Sequence, residues 1–472
     1  MSEATFSPNT AAPPSGRPTY RHLVRHRVRR LPNWPHRLLF VVFLSYLALG
    51  KGFAYFGRPP LFVGEVTLVV LVLAAARSDL TLPTGPSSLC AALFVAGGFL
   101  HTGIDLLFSD VSPIETLRGF AIAYYAVFGA LAYGALAARE STLSFHEVVE
   151  RLQRSLVRSM LVVIPAIAFL SVRLAGIGIA GPRWPGSGVP VLITKAPDLG
   201  VALAFCLPLL RAGYLEARSA AGRTVRWQLV ALLWIVSVLL VSARSRAGLI
   251  AAVVGILVTF GVNARTVVRS VIGAATLYTV LLVTSFRMNA GGRELSARGI
   301  RNSLVSIFAP DTVTSGNYNA TSDWRSQWWN AILHDAWSHR DWLSGPGWGT
   351  NLATKYGVAN NFGLSQEFVA LRLPHNMVIG LVGRVGFVLA ALYVAVPVLA
   401  VYRTRPSRLQ PELRNSPLRR AAQAGLVGGF AVGLTDVYLE SPQGAIVFWV
   451  LCGALWWMAA PRLQTASLQA SL

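Results

Sequence analysis

FRMNAGGREL (286–295) opens, and EFVALRLP (367–374) closes, the longest polar excursion in the chain. On either side, apolar runs alternate with short connectors. Phe286 to Pro374 is therefore where polar chemistry is expected, and the remainder is expected to be helix in an apolar solvent. Polar groups stand at both borders of the excursion. Ser245, Arg246, Ala247 and Gly248 open the first of two apolar runs that precede the following stretch, and His375 and Asn376 open the run after it.

Composition supports a lipid solvent. Hydrophobic residues make up 54% and charged residues 13%, and the mean hydropathy is +0.52, which excludes an ordinary soluble fold. The 472 residues form a single bundle, with only the excursion long enough to be an added subdomain. A net charge of +22 would point to nucleic acid in a soluble chain. Here the basic residues crowd the connectors beside apolar runs, so topology accounts for them and no nucleic-acid partner is expected. Cys90, Cys206 and Cys452 all lie inside apolar runs without metal-ligand spacing, so neither disulfide nor zinc is expected.

The expected fold is an all-α polytopic membrane protein of about twelve spans of roughly 17 to 25 residues. Their cores fall near 38–56, 61–76, 88–107, 117–137, 155–175, 191–210, 227–243, 246–262, 266–286, 374–401, 420–437 and 443–460. The domain reading is a basic, disordered cytoplasmic tail over 1–37, spans one to nine over 38–285 and an extracytoplasmic loop over 286–373. Three further spans follow over 374–462, and a short cytoplasmic tail over 463–472. Alternate connectors hold Arg139, Arg151 and Arg154, then Arg211, Arg218, Arg223 and Arg226, then Arg265 and Arg269, then the very basic segment from Arg403 to Arg420. The positive-inside rule therefore puts both termini in the cytoplasm and the long loop outside.

Several polar groups on the outer side call for a role. Arg244 and Arg246 stand in a connector of a few residues, where each either snorkels to headgroups or meets an anionic ligand. For Arg246 the small neighbours Ser245, Ala247 and Gly248 would let a phosphate reach backbone and guanidinium together. Within the loop, 323–340 reads as an amphipathic helix capped by Ser322 or Asp323. Arg325, Trp329, Ile332 and Ala336 share one face, which aims Arg325 inward rather than at water. Six tryptophans between Trp324 and Trp348 either pack on the bilayer interface or stack on sugar rings and an isoprenoid chain. Gly345, Gly347 and Gly349 make a tight turn that permits close backbone approach. Pro374 reads as a first-turn proline, which places His375 near a positive helix end and close to lipid, so that its imidazole is neutral and able to accept a hydroxyl proton.

Taken together, the segment Ser245 to Ile250, the element from Arg325 and Trp329 to the Gly345, Gly347, Gly349 turn, and the His375, Asn376 span start resemble the O-antigen ligase and Wzy-type O-antigen polymerase superfamily of bacterial membrane glycosyltransferases. The resemblance covers roughly residues 183 to 395. It implies a GT-C-like bundle in the inner membrane with its active site facing outside, catalysing an inverting transfer that needs no metal and no cofactor. The donor would be a glycan on undecaprenyl diphosphate, and the acceptor a hydroxyl of a glycan or glycolipid. Residues matching Arg246 and Arg325 would hold the diphosphate, and the one matching His375 would orient or deprotonate the acceptor. Arg183, Arg244, Trp329 and Asn376 would be further substrate contacts.

Two positions depart from the family pattern: Arg384 stands where an acid is common, and Pro197–Asp198 where Pro-Asn is common. Arg384 at mid-bilayer would need an acid such as Asp198, Asp436 or Glu440, because an unpaired charge there costs on the order of 3 kcal/mol. Lys195 and Asp198 are spaced to pair on one helix face. The rival reading is a transporter or flippase of a lipid-linked or anionic substrate, which would open alternately to both sides. It is disfavoured by the lack of visible repeats.

Overall fold

The computed structural model describes residues 33–58, 61–78, 80–140, 142–176, 181–219, 224–261, 263–289, 294–299, 301–302, 317–338, 342–357 and 373–461. The tail over 1–32, the end over 463–472 and most of 303–372 outside the elements named below are beyond those residues, as is the tail assignment made for them.

Helix coincides with each of the twelve apolar runs, and the first begins at Asn33, inside the segment read as tail. Among the described residues, six helices are long and apolar enough to cross a membrane: Pro86–Phe108, Pro113–Glu140, Phe145–Ser171, Ala196–Glu216, Arg226–Arg244 and Met377–Arg403. Shorter apolar helices lie at Trp34–Leu49, Val63–Ala76, Arg246–Phe260 and Pro442–Met458. The only strands among the described residues are two-residue hairpin pairs, 57–58 with 61–62 and 288–289 with 294–295.

The centre of the bundle is helix Ala196–Ser219, buried without interruption from Ala196 to Leu210. A helix that is apolar all round must be surrounded, and helices Thr224–Arg244, Arg246–Phe260 and Pro417–Gly433 surround it. Small residues set the spacing. A Cβ at Gly200 would lie 2.8 Å from Gly248 Cα, and one at Gly255 would lie 2.8 Å from Ala204 Cα. The two backbones touch, as expected where dispersion rather than water drives helix association. Gly248 therefore serves packing against Gly200, which corrects the expectation that it makes room for a phosphate.

Basic connectors also have structural work. The C-terminal carbonyl of Thr259 accepts from Arg211 (2.6 Å) and Arg420 (3.2 Å), so two guanidinium groups face the negative end of helix Arg246–Phe260. Buried Arg419 donates to the carbonyls of Leu413, Thr404 and Arg414 and to Gln423.

Helix Met377–Arg403 is broken at Gly386, where φ is 79° and ψ 175°. Such a break frees ladder groups that must find partners. The loop segment 342–347 supplies them: Phe387 N–H donates to Trp342 O (2.7 Å), and Gly347 N–H donates to Arg384 O (2.8 Å). Side chains are excluded on both sides of this contact, since a Cβ on Gly386 would stand 2.5 Å from Leu343 O and one on Gly345 2.4 Å from Arg384 O. Next along, Trp348 donates its backbone N–H to buried Asp105 (2.6 Å) and its indole N–H to Gly98 O (3.2 Å). The glycine turn is thus approached by the protein's own backbone, and it wedges the loop between helices Pro86–Phe108 and Met377–Arg403.

Substituting Gly248→Val should push the two touching backbones apart at a cost of about 1–3 kcal/mol. Thermal unfolding of the purified chain in detergent would report a lowered midpoint; an unchanged midpoint would contradict the packing.

Candidate functional site

The site starts from the loop helix Asn317–Ser338, which begins ahead of the expected cap at Ser322 or Asp323. Its buried stripe is Trp324, Trp328, Ile332 and Ala336, four residues apart each time. Arg325 and Trp329 lie one position round from that stripe and are half-buried. Of the six loop tryptophans, Trp324, Trp328 and Trp348 go into the protein interior, while Trp337 (76% exposed) and Trp342 (46%) face outward.

Three residues of this helix converge on the start of the broken helix. Trp329 Nε1 donates to Pro374 O (2.6 Å), Trp324 meets the His375 ring edge-on at 6.5 Å between centroids, and the Arg325 guanidinium lies over Trp324 at 5.5 Å and reaches Thr435 O at 3.4 Å. Trp329 therefore positions the backbone beside His375. Asn376 is the N-cap, its side-chain oxygen accepting from Val378 and Ile379 N–H. The helix proper begins at Met377. Pro374 is accordingly not a first-turn residue, and His375 is held ahead of the helix in the left-handed region, with φ 55°. A non-glycine residue there is strained and persists only where its surroundings hold it.

Burial, and next the charge of Arg325, push the His375 imidazole down from 6.5 to about 4; Asp436 opposes them and Lys195 adds to them. The ring is therefore neutral, as expected, through loss of water and a guanidinium neighbour. Its Nδ1 is buried without a hydrogen-bond partner. Burial also lowers the Arg325 pKa, Asp436 opposes this, and the charge of Arg246 contributes to it. Arg325 is thus within electrostatic reach of both Arg246 and His375, residues 79 positions before it and 50 after it. Arg246 occupies the first turn of its helix, behind Ser245, whose hydroxyl accepts from Gly248 N–H.

Beside this group is a cavity of about 370 Å³. His375 and Lys195 stand in its wall with Arg118, Glu115, Arg384 and Glu440, and the turn residues Trp348 to Asn351 close another side. Arg246 and Arg325 do not line it. His375 stands in this wall and also feels the charge of Arg325. Lys195 pairs with Asp436 (3.8 Å), while Asp198 accepts from Lys51 N–H (3.1 Å), so the expected Lys195–Asp198 pair on one face gives way to two longer-range contacts.

Arg384 is at the helix break, on the cavity wall, and its Nε donates to Thr350 O (3.2 Å). Of the three acids considered as its partners, Glu440 shares the cavity. Burial pushes the Glu440 carboxyl up to about 7; Arg384 is the main group opposing that rise, and Asp436 adds to it. Both carboxyl oxygens of Glu440 are buried without a hydrogen-bond partner. Asp436 and Glu440 entered the sequence reading only as possible partners of an arginine. Their placement beside Pro442, at the polar interruption between the last two apolar runs, was the available signal.

The other two residues fall elsewhere. Arg183 is exposed in the 181–190 turn and donates to Gly188 O (3.1 Å), and it is absent from the cavity wall. Arg244 ends helix Thr224–Arg244, half-buried, two residues before Arg246. Among the described residues no group of three or more His, Cys, Asp or Glu side chains could hold a metal ion. No protein-family model matches the chain, and no curated protein matches it significantly.

The two charges acting on His375 predict opposite responses. In the labelled protein followed by NMR, Arg325→Gln should raise the His375 pKa from about 4 toward its ordinary value, and Asp436→Asn should lower it further. Because the folded value lies below 6.5, the stability that neutral His375 contributes is present above 6.5 and lost as pH falls toward 4. A wild-type His375 that titrates near 6.5 would contradict this environment.

Proposed function

We propose that the chain is a membrane glycosyltransferase that moves a glycan from undecaprenyl diphosphate to a hydroxyl of another glycan or glycolipid outside the cytoplasmic membrane. In this reading all twelve apolar helices belong to a GT-C-like inner-membrane bundle, both termini are cytoplasmic, and the loop between residues 286 and 373 covers the outer side. The observation that carries the proposal is that His375 stands in the wall of a polar cavity and feels the charge of Arg325, which in turn feels that of Arg246.

Arginine forks suit a diphosphate, so Arg246 and Arg325 would receive the lipid diphosphate. Their charge matters most as the bond from the sugar C1 to the phosphate oxygen breaks and negative charge grows on the departing diphosphate. The acceptor would sit in the 370 Å³ cavity, where Lys195, Arg118, Arg384, Glu115 and Glu440 offer both donors and acceptors to sugar hydroxyls. The acceptor oxygen attacks C1 from the face opposite the leaving group, one C–O bond forms as the other breaks, and the hydroxyl proton leaves. Neutral His375 can accept a hydrogen bond from that hydroxyl and aim it. The Glu440 carboxyl, pushed up to about 7, is better matched to taking the proton itself near neutral pH.

Packing between the two ends of the bundle disfavours the transporter reading. Phe128 and Trp449, midway along their helices, are fully buried, and Trp449 donates to Ile122 O (3.2 Å) across them.

Transfer by the purified full chain in nanodiscs, with lipid-linked glycan as donor, tests the proposal. Arg246→Ala and His375→Ala should each lower kcat roughly 100-fold or more while thermal unfolding stays near wild type. Full activity in His375→Ala removes the proposed role. If Glu440 takes the proton, kcat rises as pH passes upward through about 7, since a base works ionised, and Glu440→Gln loses that limb. A limb that persists in the variant assigns the proton to another group.

A further inference from the structure

A second cavity, of about 230 Å³, lies at the other end of the bundle. The span Pro113–Glu140 and helix Pro442–Met458 reach both cavities: Ile122 and Ser441 line the first, and Leu136, Trp457 and Met458 line the second. The 16 residue steps from Ser441 to Trp457 rise about 24 Å at 1.5 Å per residue, close to the thickness of a bilayer's hydrocarbon. The interior of the second cavity is apolar, with Phe40, Leu136, Leu152 and Leu451 in its walls. Its polar members are His36, Arg37, Arg139, Arg151 and Ser155. Nδ1 of His36 is buried and makes no hydrogen bond.

One side of this cavity is helix Phe145–Met160. Val148, Val149, Leu156 and Met160 are buried, whereas Glu147, Glu150, Arg151 and Arg154 face outward. An apolar stripe backed by a charged face is the pattern of a helix lying in the headgroup plane. Under the positive-inside reading the same end carries the most basic connectors, which is the cytoplasmic side.

We propose that this cavity binds an anionic phospholipid, with an acyl chain against the apolar walls and the phosphate between Arg139 and Arg151. It shares the membrane placement of the glycosyltransferase reading but none of its reacting groups. The chemistry selects this occupant. A small phosphate would leave the apolar walls wet, and a neutral lipid would bring no anion to Arg139 and Arg151, the second of which already feels Glu147. The chain's own segment 17–30, with Arg17, Arg21, Arg25, Arg27, Arg29 and Arg30, carries the same sign as the rim and is repelled by it.

The test uses the purified full chain in mild detergent, with phosphatidylglycerol, phosphatidylcholine of the same acyl chains, and glycerol phosphate as probes, read by native mass spectrometry and thermal unfolding. Phosphatidylglycerol should bind saturably at one molecule per chain and raise the unfolding midpoint, while the other two do neither. Arg139→Gln with Arg151→Gln should weaken that binding about thirtyfold, from a factor of about five for each arginine near a lipid phosphate. Ala135→Phe, which fills the apolar wall and leaves the arginines, should also abolish it. Equal binding of phosphatidylcholine, or unchanged binding in either variant, overturns the proposal. Should the double variant fail to fold, the lipid comparison on the wild type and Ala135→Phe still decide it. Glycosyl transfer is read separately at the far cavity, so its absence with lipid binding intact would implicate only the functional reading.

Discussion

The interruption at Gly386 is the constraint on which the half of the molecule that holds the larger cavity depends. Buried backbone groups released from a helix have to be paired, and here the pairing comes from Trp342 and Gly347 of the loop. Loop and bundle are thereby fixed to one another by main-chain hydrogen bonds rather than by side-chain packing alone. Trp348 and Asp105 extend the joint to helix Pro86–Phe108. Once that joint is set, the walls of the larger cavity follow: Arg384 is carried to it by the break, and Trp348 to Asn351 by the turn.

The charges near this joint divide into two groups with different tasks. On one side Arg325, within electrostatic reach of Arg246, places positive charge beside a histidine that burial has already made neutral. On the other, Arg384 and Lys195 face Glu440, whose carboxyl burial has pushed up toward neutrality. Asp436 mediates, bonded to Lys195 and felt by His375, Arg325 and Glu440. An imidazole and a carboxyl with pKa values driven in opposite directions, sharing one cavity wall, form the pattern by which acid–base roles are separated in enzymes.

Much of this was legible in the residues, for identifiable reasons. Apolar periodicity and run length are local properties, so every predicted run is helix. Arg325 was inferred to turn inward from the spacing of Trp329, Ile332 and Ala336, although the buried stripe is centred on Trp324 and Trp328. The break at Gly386 was not legible, because nothing in GRVGF (383–387) distinguishes a helix whose carbonyls are claimed by a loop some forty residues earlier. His375 was expected to be neutral on account of a helix dipole and lipid, but it is neutral because Arg325 and burial act on it ahead of the helix. Gly248 was read for a ligand when it was needed by Gly200. Such tertiary demands are invisible to spacing.

The most direct measurement is a cryo-EM reconstruction of the full chain in nanodiscs with a non-hydrolysable undecaprenyl diphosphate glycan analogue. The account predicts diphosphate density between Arg246 and Arg325, with the first sugar beside His375 and directed toward the Glu440 cavity. Density for the diphosphate at any other position, with the arginine pair unchanged from the ligand-free state, would contradict it.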